Sequence, residues 1–124
     1  MDQNLKKELS KDPDGLLTYE YIANNIDTCH EIIDELVDNM IMVDRNGQFL
    51  VSAARYLNAI DCDFYASSIS RLIAAAIEKD REHRYIGDLL QGIWGSDYAS
   101  RVDELNSTDD NFRRIYKRLY PIGI

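Results

Sequence analysis

Each of the two histidines in this chain follows an aspartate by three residues, as Asp27-Thr28-Cys29-His30 and Asp80-Arg81-Glu82-His83. Positions i and i+3 share one face of an α-helix, so a carboxylate and an imidazole at that spacing can hold one metal ion together. Facing helices that each bring an acid-x-x-His pair build the di-iron sites of carboxylate bundles. Here Asp replaces the longer Glu, and no two further helices offer isolated inward Glu residues. Asp27, His30, Asp34, Asp80 and His83 are the candidate ligands of a divalent metal, in a helical enzyme or a metal-binding bundle. The plainer reading is of two solvated histidines, each beside a neighbouring Asp. With 22 acids among 124 residues, an acid at i−3 is an unremarkable coincidence.

Glu31-Ile32-Ile33-Asp34-Glu35-Leu36-Val37-Asp38 spaces acids as helical nucleotide pyrophosphatases do when they hold magnesium around a phosphate. A second acidic helix to face it is missing, because Glu78, Asp80 and Glu82 are interleaved with basic residues. Nucleophilic chemistry has thin support. Cys29 falls on an apolar seam, which suits a buried, inert thiol, and Cys62 lies between Asp61 and Asp63, poor neighbours for an activated thiolate. The glycines are scattered and form no phosphate loop. No catalytic residue is assigned, the reading leans away from an enzyme, and no cofactor is expected beyond the metal alternative.

The elements that carry these residues are helical. Tyr19, Ile22, Ile26, Cys29, Ile33, Leu36, Met40 and Val43 advance in steps of three and four, one continuous seam along a helix. Thr18 is placed to cap that helix and no Gly or Pro interrupts it before about Val43. Asp27, Glu31, Asp34 and Asp38 lie about 200° away from the seam, toward solvent. They belong to nine acids between Lys11 and Arg45, a stretch without a single Lys or Arg.

On either side, Asp12-Pro13-Asp14-Gly15 is a turn, and Asp44-Arg45-Asn46-Gly47 gives a very short β-hairpin or a tight turn near residues 41–51. Beyond it, Tyr65, Ile69, Leu72, Ile73, Ala76 and Ile77 form a buried stripe, and Glu78 to Arg84 is an exposed extension or a break. Tyr85 to Trp94 is amphipathic. A last helix begins near Ser107-Thr108-Asp109-Asp110 with acids first and Arg113, Arg114, Lys117 and Arg118 last, as the helix dipole favours. These signals predict one all-α domain over residues 1–124, a helical bundle of five or six helices, with no internal repeat.

A 45% apolar and 29% charged composition is that of an ordinary globular chain. No apolar run reaches the roughly 20 residues of a membrane span, and Met1 to Lys7 lacks the apolar core of a signal peptide, so a cytoplasmic protein off the membrane is expected. Two widely spaced cysteines fit that compartment as reduced thiols. Up to Asp110 there are 10 Lys/Arg against 22 Asp/Glu, a body that repels phosphate backbones and disfavours nucleic acid. The basic end can lie against the chain's own acidic surface.

A small non-catalytic helical protein working through protein contacts is expected, with a second copy, a homodimer, as first partner and another protein as second. Tyr19, Ile22, Ile26, Ile33, Leu36, Met40, Phe112 and Tyr116 are the interface candidates. The metal-dependent reading is one alternative. An acidic regulator that binds a basic partner is the other.

Overall fold

The computed structural model describes residues 1–121, and all regular structure in them is helical. Eight α-helices follow in order: α1 (Gln3–Leu9), α2 (Leu16–Asn24), α3 (Ile33–Val43), α4 (Gln48–Asp61), α5 (Ala66–Lys79), α6 (Gly87–Trp94), α7 (Val102–Thr108) and α8 (Asp110–Leu119). Two 3₁₀ turns, Cys29–Ile32 and Tyr98–Arg101, lead into α3 and α7. The all-α class expected from the sequence holds. The count of five or six was too low, chiefly because the seam from Tyr19 to Val43 belongs to two helices and not one.

The break falls at Asn25-Ile26-Asp27-Thr28. Asn25 turns its side-chain amide back onto the carbonyl of Tyr21 (2.8 Å) and its backbone leaves the helical region, at φ −126°. Residues that bond their own backbone compete with the helix in this way and stop it without Gly or Pro. Nor does Thr18 cap a helix. It lies inside α2, which starts after Gly15. No strand forms at residues 41–51 either: Val43 ends α3 and a tight turn leads directly to α4.

The helices stack as hairpins in two layers. α2, α4 and α6 pack side by side in one, and α3, α5 and α8 in the other, with α7 connecting α6 to α8. Ile22, Leu36, Met40, Leu50, Leu57, Leu72, Ile77, Leu89 and Phe112 fill the space between them. At about 25 cal/mol per Å², each of these side chains contributes roughly 1.5–3 kcal/mol by leaving water.

Hairpins begin with a common device. Asp12, Asp44 and Asp80 are buried, 5%, 0% and 2% exposed, and their carboxylates are spent on the backbone of the next helix. Asp44 accepts the N–H groups of Asn46 and Gly47 on Oδ1 (3.1 and 2.9 Å) and those of Phe49 and Leu50 on Oδ2 (3.0 and 2.9 Å). Asp12 accepts Asp14 and Gly15 on one oxygen and both the N–H (2.7 Å) and hydroxyl (2.6 Å) of Thr18 on the other. Asp80 takes Arg84 (2.9 Å), Tyr85 (2.7 Å) and Ile86 (2.8 Å). Charge-assisted bonds to the otherwise orphaned first N–H groups of a helix offset the cost of burying the carboxylate.

Three residues after each Asp the backbone turns left-handed, at Gly15 (φ 105°), Gly47 (φ 90°) and His83 (φ 57°). A structural repeat is therefore present where the sequence suggested none. Among the described residues no helix is long and apolar enough to cross a membrane.

Candidate interaction surface

The five candidate metal ligands do not converge. His30 sits in the first 3₁₀ turn with its ring edge-on to Phe64 (centroids 6.3 Å apart), just before α5 begins. His83 follows the other end of α5, and 14 residues of helix at 1.5 Å each place the two roughly 20 Å apart. Asp80 is a backbone cap, its oxygens already taken. Asp27 and Asp34 are exposed. Among the described residues no group of three or more His, Cys, Asp or Glu side chains has the arrangement of a metal site.

The seam is likewise consumed inside the chain. Ile22, Leu36, Met40 and Phe112 are 0% exposed and Ile33 is buried, so these five interface candidates face the protein's own core. Of the eight candidates, Tyr19, Ile26 and Tyr116 keep some exposure. Tyr19 stacks on Phe49 and meets Tyr56 edge-on, and Tyr116 lies between Phe112 and Tyr120, so these rings complete core edges. Burial pushes the Tyr98 hydroxyl up in pKa, with Tyr120 beside it adding to the effect.

The basic last helix docks on its own chain, as expected, but not on the acidic stripe. Arg114 pairs with Glu78 (2.6 Å) and Arg118 donates to the carbonyl of Ile77 (2.8 Å) at the end of α5. Asp38, in the stripe, is paired with Arg71 of α5. Lys79 donates to the carbonyls of Ile41 and Asp44, closing the end of α3, and burial lowers its pKa against the opposing pull of Asp44.

Leu16, Leu17, Met42 and Tyr120 are exposed at separate places on the surface, and two more apolar side chains lie exposed at the end of the molecule opposite the Asp-capped loops, where the α2–α3 and α4–α5 turns meet. At α4's end the Oδ1 of Asp61 accepts the N–H of Phe64 (3.0 Å), fixing the reversal. Tyr65 points inward, 5% exposed, and Phe64 points out at 60%. The Phe64 ring stands edge-on to Tyr65 (4.8 Å) as well as to His30, so it is held from two sides while its outer face meets water. Ile60, four residues earlier, is 48% exposed.

Acids populate the same two turns: Asp27 and Glu31 around His30, Asp61 and Asp63 around Cys62, with Asp34 following in α3, all exposed. Cys62 is an exposed free thiol. Cys29 is buried, and burial raises its pKa, which leaves it inert. The apolar group Ile60, Phe64 and His30 was not singled out by sequence reasoning. Its one signal is the Phe64-Tyr65 pair, in which only Tyr65 keeps the helical step to Ile69.

Other concavities are open to solvent, some polar and some, as beside Leu5, Leu9 and Leu17, more apolar. A groove of about 440 Å³ runs between α4 and α6, lined by Arg55, Asp88, Gln91 and Tyr98. No protein-family model matches the chain, and no curated protein or solved structure is similar to it at a significant level.

Proposed function

We propose that this protein is a non-catalytic contact module, a short stack of helical hairpins that works by presenting its turn end to another protein chain. The observation that carries this reading is Phe64. Leaving a phenylalanine 60% exposed forgoes about 1–2 kcal/mol of burial, and here neighbouring rings hold it outward instead of letting it fold back. Exposed apolar side chains grouped within polar surroundings mark contact sites, and hairpin stacks characteristically bind through the turns and faces that their stacking aligns.

A second copy of the chain is one partner the test distinguishes from another protein. Its basis is now the exposed group at the turn end and no longer the seam. A photoreactive phenylalanine analogue at position 64, introduced in the cells that make the protein, is the direct experiment. Adducts of twice the 14.3 kDa chain mass identify self-association, and adducts of another mass identify a different protein. The same analogue at Ala99, exposed in the second 3₁₀ turn, serves as control. If position 64 yields no more protein adducts than position 99, the contact reading is wrong.

A further inference from the structure

The geometry points to a specific chemistry for the partner: we propose that the His30–Ile60–Phe64 group receives a protein segment in which Lys or Arg residues surround one apolar or aromatic side chain. This inference rests on the contact reading and adds to it the charge of what binds.

The two turns at this end of the molecule carry acids and no Lys or Arg. Among the described residues the ion pairs involve Glu35, Asp38, Glu78, Glu82, Asp97 and Asp110. Asp27, Glu31, Asp34, Asp61 and Asp63 enter none of them. The cause lies in the sequence, since no Lys or Arg occurs at residues 12–44 or 56–70, which contain both turns in full. Carboxylates within a Debye length of about 8–10 Å act together on an approaching charge, so the acids on the two turns that His30 and Phe64 join offer an incoming cation a negative field.

Two occupants fit less well. Face-to-face pairing with a second copy would set five acids against five across the contact, and like charges so juxtaposed disfavour the complex. The most basic of the described helices, α8, already commits Arg114 to Glu78, Arg118 to Ile77 and Arg113 to Asp110. A basic segment from another protein supplies what is missing. Its apolar residue covers Phe64 and Ile60, a Lys or Arg can lie over the ring face, and the remaining cations meet the acids at the rim.

The test uses the full chain and a synthetic amphipathic helical peptide with Leu on one face and Lys elsewhere. Binding is followed by fluorescence anisotropy of the labelled peptide and by slower reaction of Cys62 with a thiol reagent. Phe64→Ser is expected to weaken binding about tenfold and Phe64→Leu much less, as for a buried hydrophobic anchor. The double substitution Asp63→Asn with Glu31→Gln is expected to weaken it several-fold and to flatten its salt dependence, whereas Asp103→Asn with Glu104→Gln on α7 leaves it unchanged.

The proposal is overturned if Phe64→Ser binds as wild type does with its helical spectrum intact, or if the two acid pairs have equal effects. It is also overturned if a peptide with Ser for Leu, or Glu for Lys, binds equally well. Should the peptide fail while the crosslinker at 64 still captures a protein, the contact reading stands and only the partner's charge is wrong. A captured species of twice the chain mass names the second copy instead.

Discussion

Asp80 packs directly against Gly47: a methyl group on that glycine would stand 3.2 Å from the Asp80 Cβ. The preceding pair of loops repeats the relationship, for a methyl on Gly15 would lie 3.3 Å from the Asp44 Cβ. Each left-handed glycine thus makes room for the buried aspartate of the next loop, and the three loops nest along one edge of the stack. The third left-handed position has no loop after it to admit. There the chain carries His83, a residue with a side chain.

Removing either nested carboxylate exposes what it satisfies. Asp44→Asn keeps the shape but turns an amide N–H toward backbone donors, and Asp80→Asn does the same at the third loop. Each is expected to cost about 2–4 kcal/mol, in line with losing charge-assisted bonds from a buried site. Urea unfolding followed by circular dichroism measures it. Asp97→Asn, on an exposed carboxylate, should stay within about 0.5 kcal/mol of wild type.

Asp12 links stability to pH. Burial acts to raise its pKa, but the hydroxyl and N–H of Thr18 and the N–H groups of Gly15 and Asp14 together outweigh burial and hold the carboxyl below its ordinary value of 3.8. A carboxyl with a lowered folded-state pKa contributes stability above its unfolded pKa and loses that contribution as pH falls through the folded value. The stability gap between wild type and Asp12→Asn is therefore expected to be full at pH 6 and to close below about pH 4. A gap that is the same at pH 2.5 would contradict the assignment.

Two glycine-to-alanine changes should move stability in opposite directions. Gly47→Ala places a methyl against Asp80 and the Ala76 carbonyl at a left-handed φ, and is expected to cost about 2 kcal/mol or more. Gly92 lies inside α6, and a methyl there would first meet the side chain of exposed Arg55, at 2.8 Å from Nε and 3.1 Å from Cγ. That side chain can swing away, so Gly92→Ala should stabilise by up to about 1 kcal/mol through helix propensity. Thermal melts of the two variants decide both signs.

His83→Gly relieves a left-handed backbone that side chains resist, with no following loop to disturb. A gain of up to about 1 kcal/mol is expected, less whatever chain entropy the glycine adds. A loss beyond about 1 kcal/mol would show that the imidazole has a structural role the loop geometry does not require.

Phe64→Ser should leave the fold nearly as stable as wild type, within about 1 kcal/mol, because most of the ring is already in water. The neighbouring Tyr65→Ser, on a ring that is 5% exposed, should cost about 3 kcal/mol or more. The contrast between adjacent aromatics separates a surface held for contact from one held for folding.

Helical class was legible because steps of three and four dominate the chain. Topology was not. The seam keeps its phase across the Asn25 break since α2 and α3 face the same core, so periodicity alone cannot reveal two helices. The capping aspartates were legible as turns but not as buried. Asp-x-x-Gly stands at Asp12 and Asp44, and the third copy hides its kinship by ending in His83. The nine acids between Lys11 and Arg45 thus included two, Asp12 and Asp44, that are buried, and one proposed ligand, Asp80, has both oxygens engaged by backbone N–H groups. The turn-end contact was illegible because it joins His30 to Phe64, which only folding brings together.

The nested loops also bear on what the molecule avoids becoming. A stack in which every loop offers a vacant seat to the next can go on adding units, and a seat left vacant at its end can be taken by a neighbour's unit, the first step toward a filament. At His83 a side chain stands where the two earlier loops have glycine, and α8 packs on α5 and α6 to complete the second layer.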